Sequence, residues 1–273
     1  MITTRFAPSP TGYLHLGHAY AARVAHDLAR QNNGRFLLRH EDIDSSRVRE
    51  AYYQQIEEDL RWLGLNWDGE PLRQSSRQHA YRDALRTLQD NDLVYPCFCT
   101  RKDIRQSLSA PHGAPEHLYP GTCRDLPKDR SAERIAAGEA HAWRFHSNKA
   151  HELHQKLTFE DLRFGEISVN PHLNGDAILA RKDIGIAYHL AVVVDDAYQA
   201  ITHVSRGEDL LESTHIHRQL QAVLELPVPT YLHHACVCDE TGKRLAKRDD
   251  SRSIRSLREQ GFVYRAVLDM SNP

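Results

Sequence analysis

The stretch "PTGYLHLGHAYAARVAHDLA", Pro10 to Ala29, sets His15 and His18 around Gly17 at the point where a helix should begin. The residues before it, "ITTRFAPSP", carry a short β-prone run that stops at Pro8 and Pro10. After it, Ala19, Ala22, Val24, Ala25, Leu28 and Ala29 supply a small-residue, apolar stripe at roughly helical spacing. The motif therefore sits on a strand-to-helix turn. In an open α/β sheet such a turn lies at the carboxyl end of a strand, where ligands bind. A helix N-terminus offers backbone N–H groups and the positive end of a dipole, both suited to phosphate. Gly17 lets a flat group approach the backbone, and the two histidines add donors aimed at the same place. Two histidines at a helix start are equally well a surface feature in a chain with 18 of them, so the remaining sequence has to decide.

At 273 residues the chain exceeds one minimal core and is expected to form two lobes. Its 35 basic and 37 acidic residues give a net charge of −2, which leaves room for a local basic face but not for a strongly basic chain. A mean hydropathy of −0.61 and the lack of a long apolar run exclude a membrane span. The N-terminus enters a strand directly, so no signal peptide is expected. Five cysteines, an odd number with two C-x-C pairs, read as metal-binding or structural thiols in a reducing cytosol.

Three blocks follow along the chain. Residues 1–96 read as α/β: "GRFLLRHEDID" is a strand entering an acidic loop. A helix begins at Ser45 or Ser46 and stops near Gly64, and another turns Ala80, Ala84, Leu85 and Leu88 inward. Residues 97–175, rich in Cys, His, Pro and Gly, read as an insertion. Residues 176–273 return to α/β, with short apolar runs, a helix starting near Glu208, and a strand "YLHHACVC". The loop after it groups Gly242 with Lys243, Arg244, Lys247 and Arg248.

"HLGH" near the start and "RLAKR" near the end, each beside a strand, resemble the two nucleotide signatures of class I aminoacyl-tRNA synthetases. "RFAPSPTGYLHLGH", "RHEDID", "AYHLAVVVDD" and "SRGEDLL" resemble the glutamyl-tRNA synthetase branch, in the same order and over most of the chain. The short distance from "RLAKR" to the end, and the Cys-rich insertion, are similar to the glutamyl-Q tRNA(Asp) synthetases of that branch. The resemblance implies a Rossmann-type catalytic domain in two halves, 1–96 and 176–273. It also implies a zinc-bearing, acceptor-binding-like insertion at 97–175 and no anticodon-binding domain. Implied too is glutamate activation by ATP without tRNA, then transfer to queuosine in the anticodon stem-loop of tRNA(Asp). Alternatives are a truncated glutamyl-tRNA synthetase charging a tRNA 3′ end, a non-catalytic glutamate or nucleotide sensor, and a small-molecule nucleotidyltransferase. A cytoplasmic monomer is expected.

Activation is attack of a carboxylate on the α-phosphate of ATP, which needs positioning and charge stabilisation rather than a general base. His15, Gly17 and His18 can supply one side of the ATP site. Lys247 can close on the leaving pyrophosphate from the other, with Arg244 and Arg248 assisting. Mg²⁺ should travel with the ATP. The family's loop usually has serine where this chain has Ala246. Glu41 or Asp42 can hold the ammonium of glutamate, and the resemblance favours Glu41. Arg5 and Arg206 can fork onto carboxylate oxygens, Tyr188 can donate its hydroxyl, and Ser9 can orient a polar group.

Cys97, Cys99 and Cys123 offer three thiols for a structural Zn²⁺, which wants four ligands. His112 and His117 lie between them as ordinary fourth choices. The resemblance instead implies Tyr119, in Y-x-x-x-C with Cys123. Cys236 and Cys238 alternate on the expected strand and read as small core residues. His141 to His146 read as a strand with aromatic packing.

Overall fold

Thr3–Phe6 forms β1 and Arg35–His40 forms β2, with helix α1, Leu16–Arg30, carrying the chain between them. The structure, a computed structural model, describes residues 1–100, 102–104, 119–182, 185–238 and 253–272. β1 and β2 pair in parallel, Thr3 opposite Arg35 and Phe6 opposite Leu38. Of the expected stripe of α1, Val24 and Leu28 are only half-buried, while Ala19, Ala22, Ala25 and Ala29 are enclosed. Side chains this small let the helix lie close to the sheet. Where the chain re-enters the sheet, a Cβ on Gly34 would stand 2.2 Å from the Ile2 carbonyl oxygen, so only glycine fits.

Helix α2, Glu50–Trp62, leads to β3, Leu72–Arg73, which extends the parallel sheet beyond β2. α2 starts later than Ser45 or Ser46. Ser46 instead closes a local turn, its Oγ donating to Asp44 Oδ1 at 2.5 Å, and the helix has no side-chain cap. α3, Gln78–Asp90, buries Leu85 and Leu88 as expected, but its third inward residue is Tyr81, with Ala80 and Ala84 half-buried.

β4 (Val94–Cys97), β5 (Ala142–Phe145), β8 (Ile178–Arg181) and β9 (Gly185–Ile186) make a separate antiparallel sheet. Between β4 and β5 comes α4, Lys128–Ala136, and after β5 comes α5, Ser147–Leu153. β6 (Thr158–Asp161) and β7 (Gly165–Ser168), although inside 97–175, pair elsewhere: Asp161 of β6 lies opposite Tyr231 of β11, Thr230–His234. β11 in turn runs parallel to β10, His203–Gly207. The chain then ends in two short helices, α8 (Ile254–Glu259) and α9 (Tyr264–Met270).

The run Tyr188–Tyr198, one of the short apolar runs of this block, is helix α6. Leu190 to Val193 are all buried, packed toward α3 and α7 (Leu211–Val223). That burial overrides the modest helix penalty of valine. No helix of the described residues is long and apolar enough to cross a membrane.

The two parallel half-sheets meet between β1 and β10, where the Thr202 N–H donates to the Thr3 carbonyl at 3.0 Å. From this seam the strands run outward as β1-β2-β3 on one side and β10-β11-β6-β7 on the other. That reversal is the switch point at which open α/β sheets bind ligands. Buried charge locks it. Asp196, on α6, accepts from Arg5 Nε of β1 at 2.9 Å and from Arg39 NH1 of β2 at 2.8 Å. Beside it Asp195 accepts from Tyr81 OH at 2.6 Å, Arg77 Nε at 2.6 Å and Gln74 Nε2 at 2.9 Å. Burial alone would raise the Asp196 carboxyl, but the two guanidiniums hold it below its usual range.

Removing this carboxylate leaves two buried cations facing each other. Asp196→Asn should therefore lower unfolding stability by about 3–5 kcal/mol, read from urea denaturation. Because the folded pKa is depressed, the stabilisation is full above the unfolded value of about 3.9 and fades as pH falls through the folded one. A loss under about 1 kcal/mol would remove the seam's charges from the account.

Candidate active site

His15 is the N-cap of α1. Its Nδ1 accepts the Gly17 N–H at 3.1 Å, and His18 Nδ1 accepts the His15 N–H at 3.3 Å. This is a reciprocal capping box built from two imidazoles, with ring centroids 3.9 Å apart. The arrangement has two consequences. Backbone donors that could meet a phosphate are taken up by the rings. In exchange, a neutral ring that accepts at Nδ1 carries its proton at Nε2, so each histidine is set as a donor. Gly17 is needed for the cap itself: a Cβ there would sit 3.0 Å from His15 Cε1 and 3.2 Å from Nδ1.

A cavity of about 430 Å³ opens at the switch point, lined by Arg5, Ser9, Gly17, His18, Glu41, Tyr188 and Arg206 together with Cys236 and Val237. Residues far apart in sequence thus share one wall. His15 supports this wall through the cap rather than lining it. Arg244, Lys247 and Arg248, with Ala246, lie outside the described residues. The described residues on both sides of that stretch abut the motif. Val237 Cβ lies 4.0 Å from a Cβ placed on Gly17, Ser253 pairs with His15, and the Ile254 N–H donates to the Leu14 carbonyl at 2.8 Å.

The two arginines differ in their partners. Arg5 is spent largely on Asp196 and on the Ser205 carbonyl. Arg206, equally buried, has no carboxylate beside it among the described residues. Its Nε donates to His233 Nε2 at 3.1 Å and its NH2 to Thr214 Oγ1 at 2.6 Å. Its NH1 donates to Tyr188 OH at 3.3 Å and His217 Nδ1 at 3.1 Å. Asp161 reaches it only through His233, whose Nδ1 lies 2.6 Å from Asp161 Oδ2. Burial, then the Arg206 charge, push His233 down to about 4 and His217 well below its usual value, so both rings are neutral. A buried guanidinium ringed by neutral groups is a site for an incoming anion. Across the cavity Glu41 is the opposite case: burial raises its carboxyl against the pull of Arg39 and Arg5, so an incoming ammonium would favour its ionised form. Asp42, the alternative to Glu41, is occupied by Tyr53 OH and Ser75 at 2.6–2.7 Å. Reading the sequence alone missed Arg39, Asp196, Thr214, His217 and His233. The paired "DD" after an apolar run was the available signal for the first two.

Cys97, Cys99 and Cys123 bring their sulfurs within 4.8 Å of one another, a group that can hold one metal ion. Cys99 Sγ is 3.4 Å from Cys123 Sγ, and Tyr119 OH is 3.4 Å from Cys97 Sγ and 3.6 Å from Cys99 Sγ. In a zinc tetrahedron with bonds of about 2.3 Å to sulfur and 2.0 Å to oxygen, the S–S and S–O edges are about 3.8 and 3.5 Å; the two Tyr119 distances match the S–O edge, and the Cys99–Cys123 distance is shorter than the S–S edge. Burial pushes the Cys99 thiol up to about 11 and raises Tyr119 as well, so a metal would displace protons on entry. His112 and His117 lie outside the described residues. Cys236 and Cys238 are not core thiols. β11 ends at His234, and the inward place goes to Val237, while Cys236 is half-buried at the cavity and Cys238 is exposed. Residues Ala142–Phe145 form the expected strand, with His141 packed edge-on to Trp143 at 5.3 Å.

The model of the family "tRNA synthetases class I (E and Q), catalytic domain" matches residues 1–271. The chain belongs to this synthetase family. It is accordingly a ligase-type enzyme. Among curated relatives, the glutamyl-Q tRNA(Asp) synthetase of Rhodobacter capsulatus is 48% identical, over 94% of this chain and 95% of its own length. The glutamate–tRNA ligase of Aquifex aeolicus is 39% identical over 98% of this chain, which spans 56% of that ligase. A crystal structure of a glutamate tRNA ligase from Elizabethkingia meningosepticum, in complex with its amino acid, superposes with a TM-score of 0.83 at 28% identity. That superposition covers 99% of this chain and 60% of the ligase.

The cysteine geometry of this synthetase sets its metal content. Elemental analysis of purified protein should give about one zinc per chain, the content of a single four-ligand set. Cys123→Ser should lose most of it and Cys236→Ser should keep it. Zinc retained by both variants, or released by Cys236→Ser alone, would overturn this ligand set.

Proposed function

We propose that this chain activates L-glutamate with ATP, without tRNA, and transfers it to queuosine in the anticodon loop of tRNA(Asp). The observation that carries the first half is Arg206: a buried cation with no carboxylate partner among the described residues, in the same cavity as Glu41 and the histidine-capped helix. In this reading Arg206 and the remaining N–H groups of Arg5 take the side-chain carboxylate of glutamate. Glu41 takes the ammonium, Tyr188 orients the substrate as a hydrogen-bond partner, and Ser9 holds a polar oxygen. Glutamine would leave the Arg206 charge unmatched and is rejected on that ground.

The α-carboxylate is already a nucleophile. It attacks the α-phosphate, forming a C–O–P linkage as the bond to pyrophosphate breaks, so no residue needs to remove a proton. His15 and His18 donate from Nε2 toward phosphate oxygens, and Gly17 leaves room for the adenosine to pass. Lys247 neutralises charge growing on the pyrophosphate, with Arg244 and Arg248 beside it. Mg²⁺ arrives on the ATP and supplies further neutralisation. Zinc on Cys97, Cys99, Tyr119 and Cys123 would order the part of the proposed insertion that surrounds them.

A second cavity, of about 550 Å³, shares Ser9, Glu41 and Tyr188 with the first and continues to Tyr119, Arg144 and Asp176. It supports an acceptor entering from the insertion side, with the activated glutamate between the two spaces. The match to nearly the full length of the R. capsulatus relative supports queuosine in tRNA(Asp) as that acceptor. The protein is proposed to work as a cytoplasmic monomer.

Labelled glutamate should transfer to an isolated tRNA(Asp) anticodon stem-loop carrying queuosine and not to the same loop carrying guanosine. The product ester should be lost in mild alkali. Transfer to the 3′ end of tRNA(Glu), blocked by periodate treatment of that end while the queuosine loop stays inert, would instead make this a short synthetase of the ordinary kind.

A further inference from the structure

The 550 Å³ cavity holds one group whose hydrogen-bond direction is fixed from outside it. His189 lines this cavity, and its Nδ1 lies 3.1 Å from His217 Nε2. His217 Nδ1 lies 3.1 Å from Arg206 NH1. A guanidinium can only donate, so His217 Nδ1 accepts and the neutral His217 ring carries its proton at Nε2. That proton is donated to His189 Nδ1. The neutral His189 ring therefore also carries its proton at Nε2, the nitrogen that has no partner among the described residues. The polarity runs one way, from Arg206 through two imidazoles into the second cavity. Successive hydrogen bonds in this sense polarise one another, which strengthens the terminal donor.

We propose that His189 is a specificity-determining donor whose Nε2–H binds an oxygen of the acceptor. The inference rests on the acyl-transfer reading above and adds a residue to it. Its chemical content is specific. The acceptor must offer an oxygen lone pair next to the hydroxyl that is acylated, as the neighbouring hydroxyl of a vicinal diol does. The geometry also denies His189 the role of general base, because the nitrogen facing the cavity already holds a proton and the other is bonded to His217. Burial, then the Arg206 charge, lower His189 to about 4, so the ring stays neutral through the physiological range. Arg206, Arg5, His233 and Tyr188, whose ring centroid is 5.4 Å from that of His189, are the other ionisable groups that act on this pair.

The test has two arms on the full chain. In the first, ¹⁵N-histidine spectra, with the His189 signals assigned by their loss in His189→Gln, report the tautomer without any acceptor. An Nε2–H ring from about pH 5.5 to 8 is expected. A charged ring or an Nδ1–H tautomer would overturn the proposal, whatever the acceptor proves to be. In the second arm, transfer kinetics are measured with the queuosine-bearing stem-loop. His189→Phe, which keeps the ring and drops the donor, should raise the stem-loop KM by about tenfold or more. His189→Gln, which keeps an N–H, should stay within about threefold of the unaltered protein. An unchanged KM in His189→Phe overturns the proposal. So does a kcat loss with a titration below about pH 7 that vanishes in His189→Phe, the mark of a base. If the unaltered protein acylates only a tRNA 3′ end, the choice of acceptor has failed, and the same KM comparison on that tRNA decides the role of His189. If it acylates neither, the acyl-transfer reading and the acceptor role fall together, while the tautomer still reports the donor geometry.

Discussion

The structure depends on how four buried side chains at one seam share charge. Asp196 sits between Arg5 and Arg39 and ties helix α6 to strands β1 and β2. Without that carboxylate two buried guanidiniums on the neighbouring strands β1 and β2 would face each other. Arg206, from β10 on the other side of the seam, has no such partner among the described residues and is held by His233, His217, Thr214 and Tyr188. One guanidinium pair is thus compensated by the fold, and a third guanidinium, in the proposed reading, meets its counter-charge on the ligand. The same low-dielectric environment that makes the first arrangement stabilising makes the second demanding, because only an anion of the right reach relieves it.

Next to this charge system lies a helix start with no acidic residue in its first turn. An Asp or Glu at the cap would satisfy the backbone but repel a triphosphate. Imidazoles do the same local work while neutral, accepting on one nitrogen and leaving a donor on the other. The cap of α1 and the expected nucleotide contact are therefore two faces of the same rings, and Gly17 is where both requirements meet. Val237 and Ser253, the described residues on either side of the stretch that carries Lys247, rest against this point.

Much of this was legible because it is local. The alanine stripe of α1, the prolines after β1, the strand Arg35–His40 and the three spaced cysteines depend on neighbours in sequence, and the fold keeps them. Arg5, Ser9, Glu41, Tyr188 and Arg206, singled out by their chemistry and the family resemblance, line one cavity. What failed to show was tertiary. Ser46 looks like a helix cap until Asp44 captures it. Cys236 and Cys238 look buried until β11 stops at His234. Strands β6 and β7 sit in a stretch of insertion-like composition yet join the main sheet, since pairing with β11 is set by distant chain. Asp196 and the histidines around Arg206 belong to the same class, because a buried ion partner is a property of the folded neighbourhood and not of its own segment.

The most direct measurement of the central claim is ATP–pyrophosphate exchange in the complete absence of RNA, run with glutamate and with glutamine. If the uncompensated Arg206 charge selects the amino acid, exchange proceeds with glutamate, and kcat/KM for glutamine is lower by about 100-fold or more. Equal exchange with the two amino acids, or none with glutamate until RNA is added, would contradict it.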